Sequence, residues 1–84
     1  MTEQNDWETE KFNEVFDDEI RVLNRRKVHD KSCSIDDLAG TLQALYILEG
    51  NNMAGRSRVQ EIALSASIAA YEKFIEEWKN EKKD

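Results

Sequence analysis

The chain has 84 residues, with no proline, three glycines and one cysteine, and its formal net charge is −6. This length accommodates one small domain and leaves no room for a deep enclosed active site. The negative charge argues against binding to nucleic acid or to an anionic membrane surface, because both require clustered cations. The absence of proline and the abundance of helix-forming residues predict an all-α fold.

The first predicted helix covers about residues 6–28, and residues 1–5 are expected to fray. Its apolar side chains recur at helical spacing: Phe12, Phe16, Ile20 and Leu23. Acidic residues occupy the first turns, and Arg25, Arg26 and Lys27 occupy the last ones. This distribution complements the helix dipole and supports the predicted direction and ends of the helix.

The second predicted helix covers about residues 35–49. Ser34 is predicted as its N-cap, because the serine hydroxyl can accept a hydrogen bond from the backbone N–H of Asp37. Gly50 is predicted as the first residue beyond the helix, in a left-handed conformation. The run from Leu38 to Leu48 carries no charge and is apolar or small around most of the helix circumference. Such a helix needs cover on nearly every side.

The third predicted helix covers about residues 55–82, and residues 83–84 are expected to fray. Its main apolar stripe alternates spacings of three and four, which is typical of a packing seam: Leu64, Ile68, Tyr71, Ile75 and Trp78. A second stripe runs beside it: Val59, Ala63, Ala66, Ala70 and Phe74. An apolar arc of this width predicts that the third helix contacts both other helices, and its alanines allow a close approach.

Short connections favour antiparallel packing of consecutive helices, so we predict an up-down-up three-helix bundle in a single domain covering residues 1–84. The placement of charges supports this order. It would bring Glu8 and other acids near Arg58 at one end, and Arg26 near Asp37 at the other. Each exposed pair contributes only about 0–1 kcal/mol.

Three helices alone are predicted to leave apolar side chains of the second and third helices facing water. Exposed apolar patches usually mark interfaces, so we expect completion by a homodimer or by an obligate protein partner. The predicted self-association residues lie on these two helices: Ala44, Ile47, Leu48, Ala63, Ala66 and Ala70. A monomer with scattered apolar surface residues is the alternative.

Four carboxylates, which we call the acidic ridge, line one face of the first helix: Glu10, Glu14, Asp17 and Asp18. We interpret the ridge as a solvated acidic surface that is presented to a protein partner. One alternative is a metal-dependent hydrolase, in which these carboxylates bind Mg²⁺ together with acids from a second, converging helix. Another is an inhibitor or immunity-type protein whose acidic surface masks a basic enzyme site.

No catalytic residue, metal site or cofactor site is predicted. His29 and Cys33 provide only two potential zinc ligands where four are usual. The segment from Gly50 to Gly55 lacks the Gly-Lys-Ser/Thr ending of a phosphate-binding loop. A single cysteine cannot form an internal disulfide, and the sequence shows neither a membrane-spanning apolar run nor a signal-peptide pattern. A reducing cytoplasm is therefore the expected location.

The hairpin from Leu42 to Trp78 resembles the small helical-hairpin proteins secreted by type VII systems, with Leu48-Glu49-Gly50 at their Trp-x-Gly or Leu-x-Gly turn. The turn contains no tryptophan, and no Tyr-x-x-x-Asp/Glu motif begins at Tyr71. No function is carried over from this resemblance. The expected function is that of a small non-enzymatic interaction, regulatory or scaffold protein.

Overall fold

The computed structural model describes residues 6–51 and 57–82 and forms three helices: α1 (Asp6–His29), α2 (Ile35–Asn51) and α3 (Arg58–Lys82). No strand occurs in these two ranges, and the predicted all-α class is confirmed. α3 packs against both α1 and α2, as its wide apolar arc predicts. The predicted start of the third helix at residue 55 and the predicted fraying of residues 1–5 and 83–84 lie outside the described residues.

α1 and α3 run parallel to each other. Near the start of both helices, two guanidinium nitrogens of Arg58 donate to the carboxylate of Glu8 at 3.0 and 3.1 Å. Near the end of both helices, the Lys27 Nζ lies 2.6 Å from a carboxylate oxygen of Glu81. Ion pairs therefore join α1 to α3 at both ends, as the first and third helices of an up-down-up bundle require.

α2 runs antiparallel to the other two helices. Asp37 in its first turn pairs with Arg26 near the end of α1 at 3.3 Å, which confirms the predicted meeting of opposite charges. Although residues 30–34 alone connect them, the backbones of α1 and α2 stay apart, and the two helices meet through side chains such as Arg26 and Asp37. Within the described ranges, no Cα of one lies within 8 Å of a Cα of the other. Consecutive helices approach closely at the backbone for α2 and α3, whereas α1 and α2 are held further apart because both lie on the wide apolar arc of α3.

Serine side chains cap the starts of α2 and α3. The N–H of Asp37 donates to the Ser34 hydroxyl at 3.1 Å, which confirms the predicted N-cap. At α3, the N–H of Gln60 donates to the Ser57 hydroxyl at 3.1 Å, and the N–H of Ser57 donates to the Gln60 side-chain oxygen at 2.9 Å. These two bonds form a capping box. The box was not predicted, although its Ser-x-x-Gln pattern is visible in the sequence.

The end of α2 differs from the prediction. Gly50 lies inside the helix, which ends at Asn51, and it does not adopt the left-handed conformation expected beyond a helix end. A Cβ placed on Gly50 would have no neighbouring atom within 4 Å, so no close approach requires glycine there. In a helix interior, glycine costs only about 1 kcal/mol relative to alanine, and this cost alone does not end a helix.

A buried cluster lies at the end of the bundle where α1 leads into α2 and where α3 ends, and further buried residues continue along α3 as far as Ile62. The cluster comes from all three helices and from the 30–34 connection: Leu23, Cys33, Leu38, Tyr71, Phe74 and Ile75. The side chains of Leu23 and Leu38 have no accessible surface. We call this the closed end. The opposite end, which contains the start of α1, the end of α2 and the start of α3, is called the open end.

Local hydrogen bonds hold the 30–34 connection at the closed end. The carboxylate of Asp30 accepts from the Ser32 hydroxyl at 2.7 Å and from the Ser32 N–H at 3.0 Å. These bonds hold the pKa of Asp30 below its usual value. The N–H of Cys33 donates to the carbonyl oxygen of Asp30 at 3.0 Å, and the Cys33 side chain lies in the core. The connection is therefore part of the closed end's packing.

Candidate functional site

Exposed large apolar side chains concentrate at the open end. Of the seven in the described ranges, five lie near the start of α1, in the second half of α2 or at the start of α3: Trp7, Tyr46, Ile47, Leu48 and Val59. Ile47 is the most exposed of these five, with 65% of its surface accessible. The other two, Val22 and Val28, lie in the second half of α1. Apolar surface is thus distributed unequally between the two ends.

α2 has one buried and one exposed apolar face. The buried face packs against the core: Leu38, Leu42 and Leu45. Ala44, Ile47 and Leu48 are exposed, as expected for a helix that the chain itself covers only in part. These three residues are accessible, which self-association through them would require. Self-association itself stays a prediction.

The alanines of α3 lie in a different environment. Ala66 and Ala70 have no accessible surface, and Ala63 is half-buried. Their small side chains suit close packing inside a helix that contacts two neighbours. Ala66 and Ala70 therefore belong to the chain's own core and are not accessible to a second copy in this arrangement. Four of the six predicted self-association residues therefore remain at least partly accessible, namely Ala44, Ile47, Leu48 and Ala63, and their role stays a prediction.

A cleft of about 550 Å³ lies at the open end, where α1 and α2 both pack on α3 without meeting. Phe12 of α1 and Ile62 and Leu64 of α3 contribute apolar surface to it. Phe12 also stacks on Phe16, with 6.3 Å between ring centroids, and this contact positions its ring. The cleft volume lies within the range of ligand and side-chain pockets, about 300–1,000 Å³.

Four charged side chains also line the cleft. Arg58 donates from two nitrogens to Glu8 and from a third to Glu61 at 3.3 Å. The hydrogen bonds from Arg58 hold the pKa of Glu8 below its usual value, and those to Glu8 raise the pKa of Arg58. Glu49 lines the cleft and forms no salt bridge with any described residue. Among the described residues, three carboxylates and one guanidinium line the cleft and give this part of its lining a formal charge of −2.

The residues of this cleft were not predicted as a site. Glu8 and Arg58 were predicted only as an ion pair between helix ends, and neither Glu49 nor Glu61 was predicted as part of a site. The sequence contains one signal for this site. These four charged residues lie near helix ends that an up-down-up order brings together. No residue pattern in the sequence predicted the gap between α1 and α2.

All four carboxylates of the acidic ridge are exposed on α1: Glu10, Glu14, Asp17 and Asp18. Glu14 lies 3.7 Å from Lys11, and Asp18 lies 3.0 Å from Arg21. Glu10 and Asp17 have no ion-pair partner among the residues that the structure describes. The ridge is thus an accessible surface, and neighbouring cations on the same helix balance about half of its charge.

The ridge does not converge with acids of another helix. In the described part of the chain, no three His, Cys, Asp or Glu side chains lie close enough to hold one metal ion. Glu72 of α3 accepts a hydrogen bond from the Tyr46 hydroxyl, which raises the pKa of Tyr46. Glu77 pairs with Lys73 at 2.9 Å. The convergence that the hydrolase alternative requires is therefore not found among these residues.

Two further findings concern membrane spans and similarity to known proteins. Among the described residues, no helix combines the length and the apolar composition needed to cross a membrane. No protein-family model, curated protein or solved structure matches this chain. The function is therefore inferred from the placement of the chain's own side chains.

Proposed function

We propose that the chain is a small protein–protein interaction module that self-associates through the exposed face of α2. This face consists of Ala44, Ile47 and Leu48. The supporting observation is the exposure of Ile47, of whose surface 65% is accessible. Full burial of an apolar side chain of this size is favourable by about 1.5–3 kcal/mol.

A second copy of the chain is the occupant that the composition favours. The run from Leu38 to Leu48 carries no charge, so two copies can meet there with little of the repulsion that a net charge of −6 imposes elsewhere. A two-fold arrangement sets the Ile47 face of each copy against the same face of the other, which is the commonest geometry of protein oligomers.

The size of the chain's own core supports the same proposal. Leu23 and Leu38 are its largest side chains without accessible surface. For a chain of 84 residues, a core of this size supplies limited stability, and small domains commonly gain the remainder by association. Burial of the exposed face of α2 against a second copy would add apolar contacts that the single chain lacks.

The acidic ridge of α1 is the second part of the proposal. The ridge lies exposed on α1 and shares no residue with the α2 face, so contact between copies through α2 leaves it accessible. We expect the ridge to attract a basic partner and to raise its association rate at low salt. An inhibitor that masks a basic enzyme site would use the same surface. In either case the chain acts by binding and performs no catalysis.

Light scattering after size exclusion, repeated over a hundredfold dilution, tests self-association. The unmodified chain should scatter as twice its mass of 9.8 kDa. Ile47→Lys should scatter as a single chain, because it places a charge in the proposed interface. Val28→Lys is the matched control: Val28 is also strongly exposed but lies on α1, so this variant should remain dimeric.

A single-chain mass for the unmodified protein at every concentration would contradict the proposal. So would a dimer that Ile47→Lys leaves intact. Far-ultraviolet circular dichroism of both variants should match that of the unmodified chain, which separates loss of association from loss of fold.

A further inference from the structure

We propose that the cleft at the open end binds a lysine or arginine side chain of a partner polypeptide. This goes beyond self-association and does not depend on it. It rests on the apolar lining of the cleft, on the distribution of its charges and on the apolar surface around it.

The apolar lining suits the stem of a long basic side chain. Phe12, Ile62 and Leu64 present hydrocarbon surface to the cleft, and Ile62 is itself buried. Lysine and arginine side chains commonly lay their methylene stems along such surface while the charge remains at a polar rim. The ring of Phe12 adds a favourable surface for a cation.

The charges at the rim favour a cation over an anion. The two carboxylate oxygens of Glu8 accept from Arg58, and one oxygen of Glu61 accepts from the same guanidinium. Among the described residues, no cation pairs with the carboxylate of Glu49 or with the second oxygen of Glu61, and both can accept charge-assisted hydrogen bonds from a ligand. An anionic ligand would meet a formal charge of −2 and would have to displace Glu8 from Arg58.

Two exposed apolar side chains adjoin lining residues of the cleft in the sequence, and they favour a polypeptide as the ligand. Trp7 precedes Glu8 on α1 and is 44% exposed, and Val59 follows Arg58 on α3 and is exposed to the same extent. A free amine would leave both side chains in water. A polypeptide that inserts one basic side chain can cover them with its neighbouring residues, and tryptophan is enriched among residues that dominate binding energy.

Nuclear magnetic resonance titration with the capped tripeptide acetyl-Leu-Arg-Leu-amide tests the proposal. Saturable shifts should appear at the backbone amides of Thr9 and Ser65, which line the cleft. Replacing the arginine by citrulline keeps the shape and removes the charge, so it should weaken binding at least tenfold. Agmatine, a free guanidinium amine without peptide neighbours, should also bind at least tenfold more weakly than the tripeptide.

Glu49→Gln should weaken binding of the tripeptide about three- to tenfold. Glu76→Gln is the matched control, because Glu76 is an exposed acid of α3 that does not line the cleft, and its affinity should equal that of the unmodified chain. Equal affinities for the arginine and citrulline peptides, shifts outside the cleft, or no effect of Glu49→Gln would each overturn the proposal. Agmatine binding as tight as that of the tripeptide would overturn its polypeptide part.

The same titration on Ile47→Lys separates this proposal from self-association. Ile47 does not line the cleft, so the tripeptide affinity of this variant should stay within twofold of the unmodified chain. A loss of peptide binding in Ile47→Lys would show that the cleft requires the dimer and would overturn the stated independence.

Discussion

The closed and open ends of the bundle are built from the same three helices but differ in how completely they are packed. At the closed end, Leu23 and Leu38 are fully buried. Lys27 covers that end: its Nζ pairs with Glu81 and lies 4.9 Å from the ring centroid of Trp78. At this end, the charged and aromatic side chains of Lys27, Glu81 and Trp78 contact each other.

At the open end, α1 and α2 leave a cleft, and Ile47 remains mostly exposed. The bidentate contact between Arg58 and Glu8 joins α1 to α3 beside the cleft, but both side chains are solvent-accessible. The difference suggests a division of roles. Stability comes chiefly from the closed end, and the surfaces that can recognise another molecule lie chiefly at the open end.

The largest expected difference between the two ends concerns leucine-to-alanine substitutions. Leu38→Ala should lower the free energy of unfolding by about 3 kcal/mol, because it removes a fully buried side chain and leaves a cavity in the core. Leu64→Ala, at the half-buried wall of the open-end cleft, should lower it by about 1 kcal/mol. Urea titrations at one protein concentration measure both values. Equal losses would refute the division of stability between the ends.

A smaller difference is expected between the two helix caps. Ser34→Ala should cost about 1 kcal/mol of global stability, because the cap that it removes belongs to the closed end. Ser57→Ala removes a similar interaction, but at the open end. The effect of Ser57→Ala should therefore be local. Amide hydrogen exchange should become faster at Glu61, whose N–H donates to the Ser57 carbonyl oxygen. Global destabilisation of equal size in both variants would contradict this expectation.

The smallest expected effect is the response of the open end to acid. Arg58 holds the folded-state pKa of Glu8 below the ordinary value of 4.5, so the contribution of this pair is present above that value. It is lost as the pH falls through the lowered folded-state pKa. Amide exchange in the first turns of α1 should then accelerate relative to that around Leu23. The effect is small because solvent and salt screen exposed pairs.

Glu8→Gln is the control for this pH dependence. It should give fast exchange in the first turns of α1 at neutral pH and remove most of the further acceleration on acidification. If the unmodified chain and Glu8→Gln respond identically to acid, the Glu8–Arg58 contact does not hold the start of α1.

Local features of the fold were predictable from the sequence because they depend on neighbouring residues. The helical periodicity and the Ser34 cap placed the starts of α1 and α2 at residues 6 and 35. The wide apolar arc of α3 indicated two packing partners, which the structure confirms. The exposure of apolar residues on α2, including Ile47, also followed, because the second helix has more apolar surface than the rest of the chain can cover.

The order of the helices and the charge pairs at their ends were predictable, but the distances between the helices were not. The burial of Ala66 and Ala70 depends on how closely the neighbours approach α3, and the sequence assigned the same alanines to an external surface. The cleft depends on the separation of α1 and α2, which no residue pattern within either helix encodes. Gly50 was misleading because glycine is common just beyond helix ends but is also tolerated inside a helix.

Cys33 provides a chemical reporter on the closed end. It is the chain's single cysteine, and its side chain is buried in the same cluster as Leu23 and Leu38. Its side chain is 8% accessible, so a thiol reagent should react with it slowly in the folded chain and faster when the 30–34 connection or the cluster opens. The protein thus has a natural labelling site for measuring opening of the closed end. No cysteine needs to be introduced, and the site lies at the end of the bundle opposite the cleft.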